Sequence, residues 1–249
     1  MRRKLQYIFL AVTFLLIHLN TFGQKQKPKN DSWYDEKALH FGFSLGLNMM
    51  DFNITPTRVP FGSDTTYLNP EVNILNPGIN IQIVMNMRPG KYFDFRFLPG
   101  VSFGQRNVRY YSVLDSLGVS VFGETYNDRQ RIESSFLEFP FLLKYKGDRL
   151  NNARPYVIGG INFRYDLAGK KEYDDEKPVY LRVKRADLYY ELGAGLDFYL
   201  PYFKFSVELK MSNGIRDIVV HDPAPGYPQY ANAIERMRSQ IWIIAFHFE

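Results

Sequence analysis

The sequence predicts an all-β protein: an eight-stranded antiparallel transmembrane β-barrel of an outer membrane. Three features carry that expectation. A basic and then apolar leader opens the 249-residue chain, and the remainder holds eight stretches that alternate apolar and polar residues. The connections between those stretches are alternately long and short, as in a barrel with short periplasmic turns and longer extracellular loops.

The leader consists of Arg2-Arg3-Lys4, the apolar run Leu5–Leu19 and a small Gly23 before Gln24. This is the layout of a secretory signal peptide over residues 1–23, cleaved between Gly23 and Gln24. Its apolar run falls short of the ~20 residues that a membrane helix needs. The chain has no cysteine, which excludes a lipoprotein anchor and any disulfide. Residues 24–37 read as a polar periplasmic tail and residues 38–249 as the barrel domain. The formal charge is +5, from 31 bases and 26 acids. Loss of Arg2, Arg3 and Lys4 with the leader leaves 28 bases against the same 26 acids, an excess of 2. So small an excess argues against a nucleic-acid partner.

The first stretch sets the pattern. Leu39, Phe41, Phe43, Leu45, Leu47 and Met49 fall on one face, with His40, Gly42, Ser44, Gly46 and Asn48 on the other. Successive strand side chains point to opposite faces, whereas a helix would mix the two sets. The pattern repeats over Ile79–Met87, Phe93–Gly104, Leu137–Tyr145, Val157–Leu167, Leu188–Tyr199, Phe203–Ser212 and Trp242–Phe248. Most of these runs approach the ~9–11 residues of a tilted membrane strand. A soluble sandwich also alternates, so periodicity alone does not decide.

Connection lengths do. The spans Met50–Pro77, Gln105–Glu133, Ala168–Asp187 and Asn213–Arg238 are long; Arg88–Lys91, Gly147–Arg154 and Leu200–Tyr202 are short. Tyr92, Phe93, Tyr145, Tyr156, Tyr199, Tyr202 and Phe203 flank the short turns, as an interfacial aromatic girdle would.

An eight-stranded barrel is just wide enough to be filled by side chains, so a conducting pore is not expected. Strand parity points Arg96, Lys144, Arg164, Lys204 and Lys210 inward with Asp94, Glu138, Asp166, Glu191, Asp197 and Glu208. Such charges should pair, and the short Leu200–Tyr202 turn predicts Asp197 near Lys204 and Glu191 near Lys210. Inward glycines, Gly193 and Gly195 among them, are expected to make room for the long charged side chains. His40 and His247 are expected to approach each other at the closing seam. No catalytic constellation, metal motif or cofactor motif is visible, so no catalytic, cofactor-binding or metal residue is expected.

Several segments resemble a known family. They are His40–Asn48 with Asp51-Phe52, Phe93–Gly100 with Gln105-Arg106-Asn107, Phe139–Tyr145, Arg154–Gly160, Tyr189–Phe198 and Phe203–Ser206. They resemble the PorT (SprT) family of the type IX secretion and gliding-motility machinery. That resemblance implies an accessory or assembly component needed for export of cargo proteins, and it carries over no catalytic residue. Its implied surroundings are outer-membrane lipid and other type IX secretion components, with no nucleic acid. The alternative is a stand-alone surface adhesin or ligand-binding small barrel. Glu249 departs from the aromatic residue on which outer-membrane barrels commonly end.

A folded barrel resists unfolding by detergent until it is heated. On a gel of purified outer membranes the unheated and boiled protein should therefore run as separate bands. Identical migration would refute the barrel.

Overall fold

The computed structural model describes residues 29–30, 34, 36–57, 60, 66–116, 119–169, 181–221 and 228–249. The expected signal peptide and most of the expected tail lie outside these residues. The chain forms β1 (Leu39–Pro56), β2 (Thr66–Leu75), β3 (Pro77–Met87), β4 (Phe93–Phe97), β5 (Gly100–Ser116), β6 (Val119–Lys146) and β7 (Ala153–Asp166). β8 (Ala186–Tyr199), β9 (Lys204–Gly214), the single helical turn α1 (Pro228–Asn232) and β10 (Ile234–Phe248) complete it. No helix among the described residues is long and apolar enough to cross a membrane.

Ten strands make eight staves. β2 and β3 follow one another through Asn76, with β2 on the upper part of β5 and β3 on its lower part. β4 and β5 are likewise one stave, interrupted at Leu98-Pro99. Pro99 has no N–H for the ladder, and its carbonyl instead accepts from the Ile83 amide at 2.9 Å. All pairings are antiparallel, and the ring closes where β1 lies between β3 and β10. Closure leaves no sheet edge within the membrane, where an unpaired backbone group has no water to bond.

Parity is obeyed in the barrel wall. The outward Leu39, Phe41, Phe43, Leu45, Leu47 and Met49 are exposed, while His40, Ser44 and Asn48 are buried. Such an apolar exterior is stable only in lipid. The tight turns and both ends of the described chain share one rim, which is the periplasmic one by the same rule. Asn151 takes a left-handed conformation (φ 54°) in the β6–β7 turn.

Two expected loops are built differently. Met50–Pro77 and Gln105–Glu133 consist largely of strand, because β1, β2, β5 and β6 continue past the apolar band. There the two faces exchange character. Along β1 the inward residues change from Asn48 to the buried Met50 and Phe52, and the outward ones from Met49 to Asp51 and Asn53. The same inversion gives inward Val108 and Tyr110 on β5, Ile132 on β6 and Met237 on β10. With water outside instead of lipid, the apolar side must turn in. Phe52, Val108, Tyr110, Ile132 and Met237 join Leu68, Ile218, Val219 and Tyr230 in one cluster, the core of an extracellular head. α1 ends at Asn232, and residues from Ile234 onward belong to β10.

Asp217 ties this head together. Its Oδ1 accepts from the Met237 amide at 2.9 Å and the Val219 amide at 3.3 Å, and its Oδ2 lies 3.0 Å from His221 Nε2. Burial works against the carboxylate charge, but these bonds outweigh it and hold the carboxyl below its ordinary value. The stabilisation is complete above the unfolded aspartate pKa of ~3.9 and is lost as pH falls through the lower folded value. Amide exchange at Met237 and Val219, corrected for intrinsic rates, should therefore speed up on acidification across and below that range. In Asp217→Asn it should be faster at neutral pH and lack that acid-dependent step. Matching pH profiles would refute the assignment.

Candidate functional site

The barrel interior is a network of buried charges. Eight bases lie inside among the described residues, with seven acids and the fully buried side chain of Glu249 as an eighth. All eleven charged residues expected to point inward do so. Arg96 on β4 reaches across the ring to Glu208 on the opposite stave β9 (3.5 Å) and to Glu249 (2.7 Å). Glu208 also accepts from the Tyr156 hydroxyl at 2.9 Å and faces His247 at 3.4 Å. Lys144 donates to Asp197 at 2.8 Å.

A second layer lies further up the staves. Glu138 receives Arg164 at 3.0 Å and Gln82 at 2.7 Å. Glu191 receives Arg164 at 3.1 Å, Lys210 at 2.9 Å, Asn162 at 2.8 Å and Ser212 at 2.9 Å. Above it, Arg106 donates to Ser239 at 2.9 Å and to Ser134, with its guanidinium 4.1 Å from the Phe52 ring centre. The apolar core of the head follows directly.

The periplasmic mouth is covered by the N-terminal segment. The Tyr34 ring stacks on His40 with centres 3.8 Å apart, and its hydroxyl donates to Glu249 at 2.8 Å and accepts from Lys204 at 2.6 Å. Lys204 also reaches Glu249 at 2.9 Å. Asn30 bonds to Asn152 and to the Tyr199 carbonyl, fixing the segment to two periplasmic turns. The side chain of Glu249 is thus a lumen residue joining the strap, β4 and β9, while the outward Phe248 packs with Phe43 and Phe205.

Several expectations are corrected. Of the expected ladder, Glu191–Lys210 forms, but Asp197 is taken by Lys144 and Ser206, and Lys204 by Glu249 and Tyr34. β8 pairs Asp197 with Ser206 and Tyr199 with Lys204, which aims the lysine at the mouth. The histidines have separate partners, since His247 pairs with Ser44, four residues along β1 from His40. Tyr92, Phe93, Tyr145, Tyr202 and Phe203 are exposed as a girdle requires, but Tyr156 and Tyr199 are buried because their parity is inward. The inward glycines admit chiefly backbone and uncharged side chains. A Cβ on Gly195 would sit 2.5 Å from the Tyr156 ring, so its absence is what lets that tyrosine reach Glu208.

Arg106, Lys146, Arg154, Asp187 and Glu249 were not expected inside. Glu249 had a usable signal, since alternation from Phe246 and Phe248 puts it on the inner face. Among the described residues no three His, Asp or Glu side chains are grouped to hold a metal ion.

This geometry defines a small outer-membrane barrel with a filled lumen, an extracellular head and a periplasmic strap. The family model for the outer membrane protein beta-barrel domain matches residues 22–220, and the chain belongs to that family. Among solved structures, it is similar to the outer membrane protein OprG from Pseudomonas aeruginosa. That match covers 90% of this chain and 97% of the other at 11% identity, with a TM-score of 0.42. It is also similar to the outer membrane protein AlkL in lipid bilayers, over 92% and 96% at 10% identity, with a TM-score of 0.36. No curated protein matches the sequence. The protein is an outer-membrane protein.

Glu191 serves two cations, and that sharing is testable. Lys210→Met and Glu191→Gln should each destabilise the barrel by ~3–5 kcal/mol, because each leaves buried charge uncompensated. The double variant should cost less than the sum of the two. Denaturant unfolding from micelles measures all three. Strict additivity would refute the coupling.

Proposed function

We propose that this protein is an accessory or assembly component of the type IX secretion and gliding-motility machinery, needed for export of cargo proteins. It acts through its two ends while the barrel holds them in the membrane. The observation that carries this reading is the filled lumen: Arg96 spans it to Glu208, and Lys144–Asp197 and Arg164–Glu138 occupy neighbouring sections. A lumen so filled leaves a folded cargo protein no passage, so action must come from exposed surfaces. The machine itself is inferred from the likeness of segments such as Phe93–Gly100 and Tyr189–Phe198 to the PorT (SprT) family. In this proposal residues 1–23 are removed as a signal peptide. Residues 24–37 work in the periplasm, the barrel domain spans 38–249, and the protein partners are other type IX components.

A second reading, a surface adhesin or ligand-binding barrel, draws on the head, whose apolar core holds a folded surface outside the membrane.

Gene deletion separates the two. Under the first reading, unrelated cargo proteins accumulate in the periplasm and re-expression restores their export. Removing Gln24–Pro28, or replacing residues 222–227 by a Gly/Ser segment of equal length, should impair that rescue while the protein remains heat-modifiable. Normal export in the deletion strain, with loss of surface adhesion or ligand uptake only, would overturn the secretion reading in favour of the second.

A further inference from the structure

Two cavities adjoin at the start of β1. One, of about 330 Å³, opens at the periplasmic rim and is lined by Tyr34, Lys37, His40, Tyr202 and Glu249. The other, of about 470 Å³, is an apolar groove on the lipid-facing wall. Leu39 and Phe41 line both.

The register explains the groove. It runs between two outward rows across the staves: Leu39–Met87–Phe95–Leu143 on one side and Phe41–Met85–Phe97–Phe141 on the other. The first row ends at Gly159 on β7, where the missing side chain leaves the floor open. Five staves lie along it, so its length is four strand spacings, roughly 19 Å. The rows also climb. Leu39 is the first residue of β1 and Met87 the last of β3, whereas Phe95 is third in β4 and Gly159 seventh in β7. The groove therefore starts at the rim and rises into the bilayer, on the scale of the ~15 Å that one leaflet contributes to a ~30 Å hydrocarbon core.

The rim cavity has the chemistry of a zwitterionic head group. Lys37 is exposed and has no ion-pair partner among the described residues. His40 is only 6% exposed and its ring bonds to the Lys37 backbone, leaving Nε2 without a partner. With the other ring nitrogen donating to that carbonyl, a neutral Nε2 offers a lone pair to a donor. Glu249 is neutralised by Arg96 and Lys204, so it does not repel a phosphate as a free carboxylate would. Tyr202 is 94% exposed at the same rim.

We propose that this composite cavity is a binding site for one phosphatidylethanolamine of the periplasmic leaflet. Its phosphate meets Lys37, its ammonium meets His40 Nε2, and one acyl chain lies in the groove toward Gly159. The site is independent of the secretion reading, and its test involves no cargo.

The full-length protein is purified in mild detergent and titrated by native mass spectrometry with phosphatidylethanolamine, phosphatidylglycerol or free palmitate. One phosphatidylethanolamine should persist where the other two dissociate. Lys37→Glu and His40→Phe, the latter keeping a ring to stack on Tyr34, should each weaken retention about tenfold. Gly159→Leu, whose Cβ would lie 3.1 Å from the end of the Leu192 side chain and 3.5 Å from the Glu191 carbonyl, should do the same by filling the groove. Heat-modifiability shows whether each variant is folded. In the unmodified protein, phosphatidylethanolamine with a photoreactive acyl terminus should label the region of Phe141 and Ile161. Equal retention of the three probes, unchanged retention in folded variants, or labelling spread evenly around the barrel would each overturn the site.

Discussion

The structure depends on charge neutrality inside a closed ring. Eight staves without an edge leave an interior that water cannot fill and side chains must. A charge left alone there would cost several kcal/mol. Among the described residues the lumen meets that requirement with equal numbers of bases and acids, and the pairs cross between staves. Arg96 is the widest of these ties, joining β4 to β9 and, through Glu249, to the end of β10. Glu191 and Glu138 bind neighbouring staves in the same way through Arg164. Removing one partner would disturb the packing of several strands at once, so the polar interior has the role that an apolar core has in a soluble domain.

The same physics explains what could be read from the sequence. Within the bilayer, period-two alternation has one meaning, apolar out and polar in, and it placed all eleven inward charges. Beyond the bilayer the meaning reverses. Phe52, Val108 and Ile132 point inward there while Asp51, Arg109 and Arg131 point toward water. A search for membrane strands loses its signal at that point and reads a loop. The long spans after Met49 and Gly104 were legible as extracellular, but their strands and the core of the head were not. Arg106 was missed for that reason, since it sits where the pattern inverts. Partner choice inside the lumen was legible only in part, because parity gives a face but not a register. The offset that pairs Asp197 with Ser206 and aims Lys204 at the mouth follows from the β8–β9 turn.

The periplasmic rim shows how a residue just past the last strand can serve the fold. In the structure Phe248 supplies the outward aromatic, packed with Phe43 and Phe205, and Glu249 turns inward to join Arg96, Lys204 and Tyr34. The carboxylate thereby ties the last strand to the N-terminal strap. The polar character of residues 24–37 was legible in the sequence, but the contacts of Asn30 and Tyr34 were not, because isolated residues carry no periodicity to mark them.

A scaffold of this kind separates stability from function. The crossed ion pairs fix the staves, the head stands on strands continued from the barrel around its own apolar core, and Asn30 and Tyr34 hold the strap. Loops and termini held on a rigid frame can vary or rearrange without disturbing the barrel. The two ends also face different compartments, with buried charged and aromatic side chains filling the lumen between them. A signal or load passing from one side to the other would have to travel through the staves. The chain of side chains from Tyr34 through Glu249, Arg96, Glu208 and Lys210 to Glu191 is a continuous physical link along that path. Its last members lie in the layer next to Arg106 and the apolar core of the head. Coupling through such a chain requires two arrangements of it, and a second arrangement would have to break the buried ion pairs that link it. The geometry therefore favours a barrel that holds its two ends at fixed positions over one that transmits motion between them.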